Sequence, residues 1–401
     1  MHQNIQRLSL IPIFLVAWLQ LSSFTVTPSK ISFHEAAAFY TFGDTVSFRV
    51  TCESENPITE ALLFVAIAGQ STRVIPVTPN STGALQYDLD ASSDPIRPFA
   101  EVRYWYQIKD GKGEEGRSRE YSFVYTDNRF SWSSHKDEQF EIYWSTTDAR
   151  IGRQILAIAR RSLQNALKYY PAATTEAIKI YIYENTDDLR LALAPGQHTW
   201  TVGHASPEDA TILIVLADGM KTKAEVERLL PHEITHILQA AYSRDNFSSL
   251  PAWLVEGSAS VAELRPDPER RAVLQSAAAA NALIPIEELC TSFPNDDAAA
   301  YLAYAESESF VQFLVREYGA DSLVRLTEQS SPERTCQEAF YTTYKQSLPE
   351  IEAEWQKQVV GVSSANNPAG DMTALAALLV LLILAPLAPA LAIAIQTRRG
   401  K

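Results

Sequence analysis

Hydrophobic and polar residues alternate at every second position through much of the first third of the chain, between residues 31 and 125. This is the repeat of a β-strand with one buried face. The alternating runs are Val46/Phe48/Val50, Leu85/Tyr87/Leu89, Val102/Tyr104/Tyr106/Ile108 and Tyr121/Phe123/Tyr125. Asp110-Gly111-Lys112-Gly113 is a strong turn signal between two of them. Several short strands at this spacing predict an all-β sandwich domain over residues 28–127.

The pattern changes beyond residue 138 to strands interspersed with helices. Strands are predicted at Phe140–Trp144, Ile178–Tyr183 and Thr211–Leu216, and a helix at Asp148–Tyr170 carries its apolar residues on one stripe. A second helix spans Thr222–Tyr242, and nearly everything after Leu250 has helical periodicity. The region 138–360 is therefore predicted to be an α+β domain. The polar segment 128–138 is predicted to be a linker.

Both ends of the chain are apolar. Leu8–Leu21 follows a weakly basic start, which is typical of a secretory signal peptide over residues 1–27. Residues 373–395 contain no charge and are followed by Arg398, Arg399 and Lys401, which predicts a transmembrane helix and a cytoplasmic basic tail, 396–401. Residues 361–372 are predicted to be a tether. The expected location is the cell membrane, single-pass, with residues 28–370 extracytoplasmic.

Size, charge and cysteine content further narrow the possible folds and partners. The sandwich has the size of an immunoglobulin-like or fibronectin-like module, although it lacks the cysteine pair of antibody domains. The formal net charge is -14, and no basic cluster lies outside the tail, so a nucleic-acid partner is not expected. Cys52 continues the alternation of its strand and should face the sheet core. Cys290 and Cys336 are predicted to form a disulfide, since exported proteins commonly pair such thiols.

One helix carries the motif His232-Glu233-Ile234-Thr235-His236. Residues four apart share a helix face, so the two imidazoles can bind one Zn²⁺ ion while Glu233 acts as general base toward a water molecule. Catalytic zinc takes three protein ligands and keeps an open position. Glu256, twenty residues after His236, is the predicted third ligand. Glu263 is a fallback for that role.

The motif together with Trp253-Leu254-Val255-Glu256-Gly257 resembles the gluzincin metallopeptidases, most closely the bacterial peptidase MA-like domains related to thermolysin and the zinc aminopeptidases. The resemblance covers residues 138–360. It implies a thermolysin-like α+β fold, a Zn²⁺ cofactor and a peptide or protein substrate. Pro231 departs from the family pattern and predicts a kink in the helix or a new start there.

The resemblance also implies a tyrosine that stabilises the oxyanion of the transition state. Tyr304 is the candidate, and Tyr301 on the same predicted helix is its rival. Gly203-His204-Ala205 precedes a predicted edge strand, where related peptidases pair with extended peptides. His204 can contact substrate there, whereas an isolated loop histidine such as His204 or His198 is more often only exposed. Ser260 is a weaker candidate for a hydrogen bond to a metal ligand.

These features favour a membrane-anchored, extracytoplasmic zinc metallopeptidase, with amino- and endopeptidase activity both open. The alternative is a catalytically silent surface module in which zinc only joins the helices. Glu233 favours the enzyme, because a purely structural zinc site needs no general base. An intramembrane protease is disfavoured, because charged residues such as Lys223 and Arg228 lie in the same segment as the motif.

Overall fold

A computed structural model describes residues 31–80, 83–146, 148–174, 176–193, 203–216 and 223–366, with side chains to residue 359. The strands are β1 Ile31–Thr41, β2 Thr45–Ser54, β3 Ile58–Ile67, β4 Arg73–Pro76, β5 Ala84–Asp90, β6 Glu101–Asp110, β7 Glu115–Arg117, β8 Tyr121–Val124, β9 Ser133–Lys136, β10 Phe140–Trp144, β11 Ile178–Tyr183, β12 Gly203–Ser206 and β13 Thr211–Val215. The α-helices are α1 Arg150–Ala166, α2 Thr186–Ala192, α3 Lys223–Ser243, α4 Ala252–Val261, α5 Pro268–Ala279, α6 Asp297–Tyr318, α7 Asp321–Gln329, α8 Cys336–Tyr344 and α9 Leu348–Asn366.

The first eight strands form two antiparallel sheets packed face to face. One sheet has the order β1-β2-β5, and the other has the order β4-β3-β6-β7, with β8 also paired to β6. Alternate residues of the strands point between the sheets, so Phe48 and Tyr106 are almost completely buried. Cys52 is a buried free thiol in the same core. The predicted all-β sandwich is confirmed.

A mixed five-stranded sheet follows in the order β12-β13-β11-β10-β9. Its three central strands are parallel, and β12 and β9 are antiparallel edge strands. Helices α1 and α3 cover one face, because the inward residues of β10, β11 and β13 share a hydrophobic core with Ile155, Leu230 and Ile234. This region was predicted to be α+β, and the mixture of strands and helices is confirmed, with its three central strands parallel as in an α/β sheet. Helix α3 lies across the sheet, with its other side toward the helices α4–α9.

The helices after α3 enclose a separate core around two buried tryptophans. Trp253 of α4 and Trp355 of α9 both pack against Phe310 of α6, with ring centroids 5.1 and 5.6 Å apart. The predicted disulfide is confirmed, since Cys290 and Cys336 are bonded across the turn before α6 and the start of α8. It joins two segments that are far apart in sequence.

The sandwich and the mixed sheet share one hydrophobic core. Outward residues of β11 and β13 pack into the sandwich core, on the side of the sheet opposite α1 and α3. Phe99 stacks on Tyr181 with ring centroids 3.5 Å apart, and the Tyr183 hydroxyl donates to Asp127 over 3.0 Å. The two domains are therefore packed against each other through an apolar interface rather than connected by a spacer.

The predicted fold class is wrong in including a C-terminal transmembrane helix. No helix among the described residues is long and apolar enough to span a bilayer. The last described helix, α9, carries Glu350, Glu352 and Glu354. It continues to Asn366, into the predicted tether, while residues 1–27 and 373–395 lie outside the described residues.

The predicted linker 128–138 contains a strand. Residues Ser133–Lys136 form β9, which pairs antiparallel with β10, and the Trp132 indole donates to the Asp127 carbonyl over 2.9 Å. The sequence Ser-Ser-His-Lys has no hydrophobic alternation and so gave no strand signal. It forms an edge strand through backbone hydrogen bonds to β10. This segment is therefore part of the mixed five-stranded sheet.

Candidate metal centre

Three side chains from two helices converge beside the mixed sheet. Among the described residues, His232, His236 and Glu256 form the group able to hold a metal ion, with ligand atoms all within 4.8 Å of one another. Glu256 Oε2 lies 3.2 Å from His232 Nε2 and 3.7 Å from His236 Nε2. Ligands 2.0–2.1 Å from a tetrahedral zinc ion are separated by about 3.3 Å. The spacing and the two-imidazole, one-carboxylate donor set fit zinc.

Pro231 lies inside α3 without ending it. Proline has no N–H to donate, so the carbonyl of Glu227, four residues earlier, lacks its normal helical partner. The backbone N–H of Leu264 takes that place and donates to the Glu227 carbonyl over 2.9 Å. The helix continues through Pro231, and the carbonyl that the proline leaves free binds the chain just after α4. Pro231 thereby helps to fix α4 relative to α3.

Gly257 lets α4 approach α6 closely. A Cβ atom at Gly257 would lie 2.5 Å from the Ser307 carbonyl oxygen, which real side chains do not tolerate. Trp253, one turn earlier, is completely buried between the helices. Trp253 and Gly257 together fix how closely α4 packs against α6. They thereby position Glu256, which lies between them in sequence, relative to the histidines of α3.

A buried glutamine orients His236. Gln239 Nε2 donates to the Val255 carbonyl over 2.9 Å, so Gln239 Oε1 is the atom that faces His236 Nδ1 at 3.0 Å. An amide oxygen only accepts, so Nδ1 of His236 carries the proton and Nε2 is left with its lone pair. That lone pair points at the metal centre. Gln239 was not predicted, although its position three residues after His236 on one helix face was the available signal.

Glu263 lies on the opposite side of His232 from Glu256. Its Oε1 is 3.5 Å from His232 Nδ1, and its carboxylate is paired with the buried Arg270 guanidinium. Arg270 also contacts Glu308 at 3.2 Å. A carboxylate at the second nitrogen of a metal-binding histidine orients the ring and raises its basicity. The arrangement favours Glu256 over Glu263 as the third ligand.

The electrostatics favour a positive charge between these groups. Burial opposes protonation of His232, but hydrogen bonds to Glu256 and Glu263 outweigh it and raise the His232 pKa to about 10. Burial also opposes ionisation of Glu256, and the charges of His236 and His232 outweigh it, so its pKa is lowered. The carboxylates on both sides of His232 therefore attract a cation, and a metal ion bound here would replace the proton, since only the neutral imidazole is a ligand.

Glu233 lies beside the edge strand β12. The residue is only 7% exposed. A Cβ atom at Gly203 would fall 2.8 Å from Glu233 Oε1 and 2.5 Å from Leu229 Cδ1. Only glycine allows the β12 backbone to lie this close to the carboxylate. The segment Gly203–Ser206, predicted to precede an edge strand, is itself the edge strand β12, and the structure brings it together with Glu233.

Tyr304 and Tyr301 have different environments. The Tyr304 hydroxyl is hydrogen-bonded to Glu256, and its ring centroid is 6.3 Å from that of His232. Burial raises the pKa of Tyr304 above its normal range, so the phenol keeps its proton. The Tyr301 hydroxyl donates instead to Asp267 over 3.2 Å. Of the two candidates, Tyr304 is the one brought to the metal ligands.

The remaining candidates are less closely connected to the ligands. His204, on β12, is near enough to Glu233 and His236 to interact with their charges, and burial lowers its pKa. The Ser260 hydroxyl is buried and has no hydrogen-bond partner within the part of the chain described. His198 lies outside the described residues.

The helix-borne His-His-Glu set beside a mixed sheet defines the class of zinc-dependent hydrolases that use this motif. The family model of the Peptidase MA superfamily matches residues 158–361, just over half of the 401-residue chain. The chain belongs to the Peptidase MA superfamily. Membership supports a zinc metallopeptidase in general and implies zinc as its metal.

Solved structures show more distant similarity. A mutant M1 zinc metallopeptidase from Deinococcus radiodurans is 13% identical, with 80% of this chain and 91% of that chain covered and a TM-score of 0.39. A carbohydrate-binding module family 56 beta-1,3-glucan binding domain is 12% identical, with 23% and 98% covered and a TM-score of 0.18. No curated protein sequence matches the chain significantly.

Proposed function

We propose that the protein is a zinc metallopeptidase that hydrolyses peptide bonds with Glu233 as general base. The observation that carries this proposal is the placement of Glu233 at the junction of the metal centre and an open strand edge. His232, His236 and Glu256 are the proposed zinc ligands. Bound zinc supplies Lewis-acid activation of a water molecule and of the scissile carbonyl group.

Glu233 is the residue that moves protons. Its carboxylate lies beside Gly203 of β12 and is near enough to His232 to act on its charge, yet it is not a member of the His-His-Glu group. Its carboxylate accepts the proton of the attacking water and then delivers it to the leaving amine nitrogen. One side chain is therefore base in the first step and acid in the second.

The strand edge of β12 is the proposed substrate surface. β12 pairs with β13 on one side only, and in the described part of the chain no strand pairs with its other side. An extended peptide that adds to this edge forms main-chain hydrogen bonds with β12 and passes Glu233. Main-chain hydrogen bonds do not distinguish one peptide sequence from another. Substrate specificity therefore comes from the side chains that flank the strand, including His204.

We place this activity outside the cytoplasm. The support is the Cys290–Cys336 disulfide in the helical half, because structural disulfides persist in oxidising compartments. The apolar interface between the sandwich and the mixed sheet makes the sandwich a structural part of the enzyme rather than a spacer.

A metal-removal experiment tests the function. The purified chain, incubated with a diverse peptide library, is expected to cleave internal or terminal peptide bonds when loaded with zinc. Removal of zinc by a chelator should abolish cleavage, and zinc added in excess of the chelator should restore it. The products are read by mass spectrometry. A zinc-loaded, folded protein that cleaves no member would favour the silent zinc-joined module instead.

Replacement of Tyr304 by Phe tests the proposed oxyanion donor. The ring and its contact with Phe293 remain, while the hydroxyl bonded to Glu256 is lost. We expect kcat to fall about 100-fold, the typical cost of removing one oxyanion donor, with KM little changed. Tyr301→Phe is the matched control, because its hydroxyl bonds Asp267. An equal loss in both variants would contradict the assignment.

A further inference from the structure

The turn that ends β12 is held by an arginine from the other domain. Arg97 lies in the sandwich between β5 and β6, yet its Nε donates to Asp209 Oδ2 over 3.0 Å and its Nη2 makes a second, shorter bond to the same carboxylate. Its Nη1 is 3.6 Å from Glu208 Oε2. The side chains of Arg97 and Asp209 are 16% and 9% exposed, so the pair is shielded from water.

Other contacts within the sandwich hold Arg97 in position for this ion pair. Arg97 Nη2 also donates to the carbonyl of Ala68 over 3.0 Å, which ties the arginine to the β3–β4 loop. Gly69 follows in that loop, and a Cβ atom there would be 3.1 Å from Glu208 Cγ. Two residues after Arg97, Phe99 stacks on Tyr181 of β11. The arginine is therefore fixed by its own domain before it reaches the turn.

The turn itself has a strained conformation. Pro207–Asp209 form a single 3₁₀ turn, and Ala210 closes it with φ 46° and ψ 42°. This left-handed conformation is unfavourable for a residue with a Cβ atom and persists only where the surroundings impose it. The Arg97 contact with Asp209, immediately before Ala210, is such a constraint. The turn sets where β12 leaves β13, since Ser206 pairs with Thr211.

We infer that Arg97 is a positioning residue that holds the edge strand β12 in register beside Glu233. The inference rests on the proposed function, because it assigns a domain without metal ligands to the placement of peptide substrate. The chain of contacts runs from Arg97 to Asp209, through the strained turn to β12, and from Gly203 to Glu233. The sandwich thus supports one side of the substrate surface.

Removal of the arginine side-chain charge should loosen β12 without disturbing the metal centre. Arg97→Met leaves the buried Asp209 carboxylate without its partner, and Asp209→Asn breaks the same pair while Arg97 keeps Glu208 at 3.6 Å as a carboxylate neighbour. Hydrogen exchange of the zinc-loaded full-length chain is expected to show faster exchange at residues 203–206 in both variants. Exchange in α3 and the zinc content should match wild type.

Kinetics provide the second measurement. A peptide long enough to pair along β12 should show KM raised about 10-fold with kcat nearly unchanged, since backbone pairing contributes binding common to ground and transition states. A short blocked dipeptide, which makes little pairing, should be affected less. The double variant Arg97→Met/Asp209→Asn should be no worse than either single variant, because the two residues act as one pair.

The matched control is Arg103→Met, which removes an arginine of the same sandwich paired with Glu120 at 3.1 Å on the exposed surface. It should change neither exchange at β12 nor KM. Unchanged exchange at residues 203–206 in the Arg97 and Asp209 variants would overturn the inference. If wild type cleaves no peptide, the proposed function fails, while the exchange data still decide whether Arg97 holds the strand.

Discussion

Glu233→Gln is expected to reduce peptide hydrolysis by about 100- to 10,000-fold while zinc content and thermal stability stay near wild type. Glutamine keeps the size of the side chain and its fit beside Gly203, but it cannot take up a proton from the attacking water. The measurement is the cleavage rate of a quenched peptide pool by both proteins, each zinc-loaded and each checked for folding by circular dichroism.

A matched control separates loss of the base from a general disturbance of α3. Glu225→Gln, in the first turn of the same helix, removes a carboxylate eight residues before Glu233 and should leave hydrolysis unchanged. Equal cleavage by wild type and Glu233→Gln would show that another group is the base. A variant that loses both activity and zinc would indicate that Glu233 is needed for metal binding.

The second large effect is expected in metal content. His232→Ala and Glu256→Ala each remove a proposed ligand, and zinc should fall from about one ion per chain to near zero after dialysis. Glu263→Gln should retain the ion, with zinc affinity lowered about 10- to 100-fold, because that carboxylate orients His232 rather than contacting the metal. Zinc is measured by mass spectrometry of the metal and by competition with a chromogenic chelator.

The contrast between the two glutamates is the informative comparison. Glu256 Oε2 is within 3.7 Å of both histidine Nε2 atoms, while Glu263 faces the outer nitrogen of His232 and Arg270. Full zinc retention in Glu256→Ala with loss in Glu263→Gln would reverse the assignment. Glutamine is used at position 263 because its amide oxygen can still accept a hydrogen bond from the buried Arg270, whereas alanine would remove that acceptor and destabilise the fold.

Helical and strand periodicity predicted most of the local structure. The stripe on α1, the alternation in the sandwich strands and the motif on α3 are local patterns, and each was found close to its predicted bounds. The strand β9 was missed because its residues carry no periodic signal. The transmembrane helix of the predicted fold was wrong, since no helix among the described residues is long and apolar enough to span a bilayer.

Side chains that act through long-range contacts were not readable from the sequence. Nothing in the sequence distinguishes Gln239 from other polar residues of a helix. Its role depends on α4, which places the Val255 carbonyl beside it. Pro231 predicted a kink or a new helix start; α3 does not start anew there, and only the tertiary structure brings Leu264 to the freed carbonyl of Glu227. Tyr301 and Tyr304 were rivals in sequence, and the packing of α6 against α4 turns one toward Asp267 and the other toward Glu256.

The sequence by itself determined the chemistry of the candidate centre. Two histidines four residues apart share a helix face whatever the fold, and Glu233 between them follows from the same geometry. The tertiary structure decided that Glu263 faces the outer nitrogen of His232, which tyrosine lies beside the candidate ligands, and that a sandwich arginine is paired with the turn beside β12. The physical reason is distance along the chain. Helix periodicity acts over a few residues, whereas Arg97 and Asp209 meet only when two domains bury a common apolar interface.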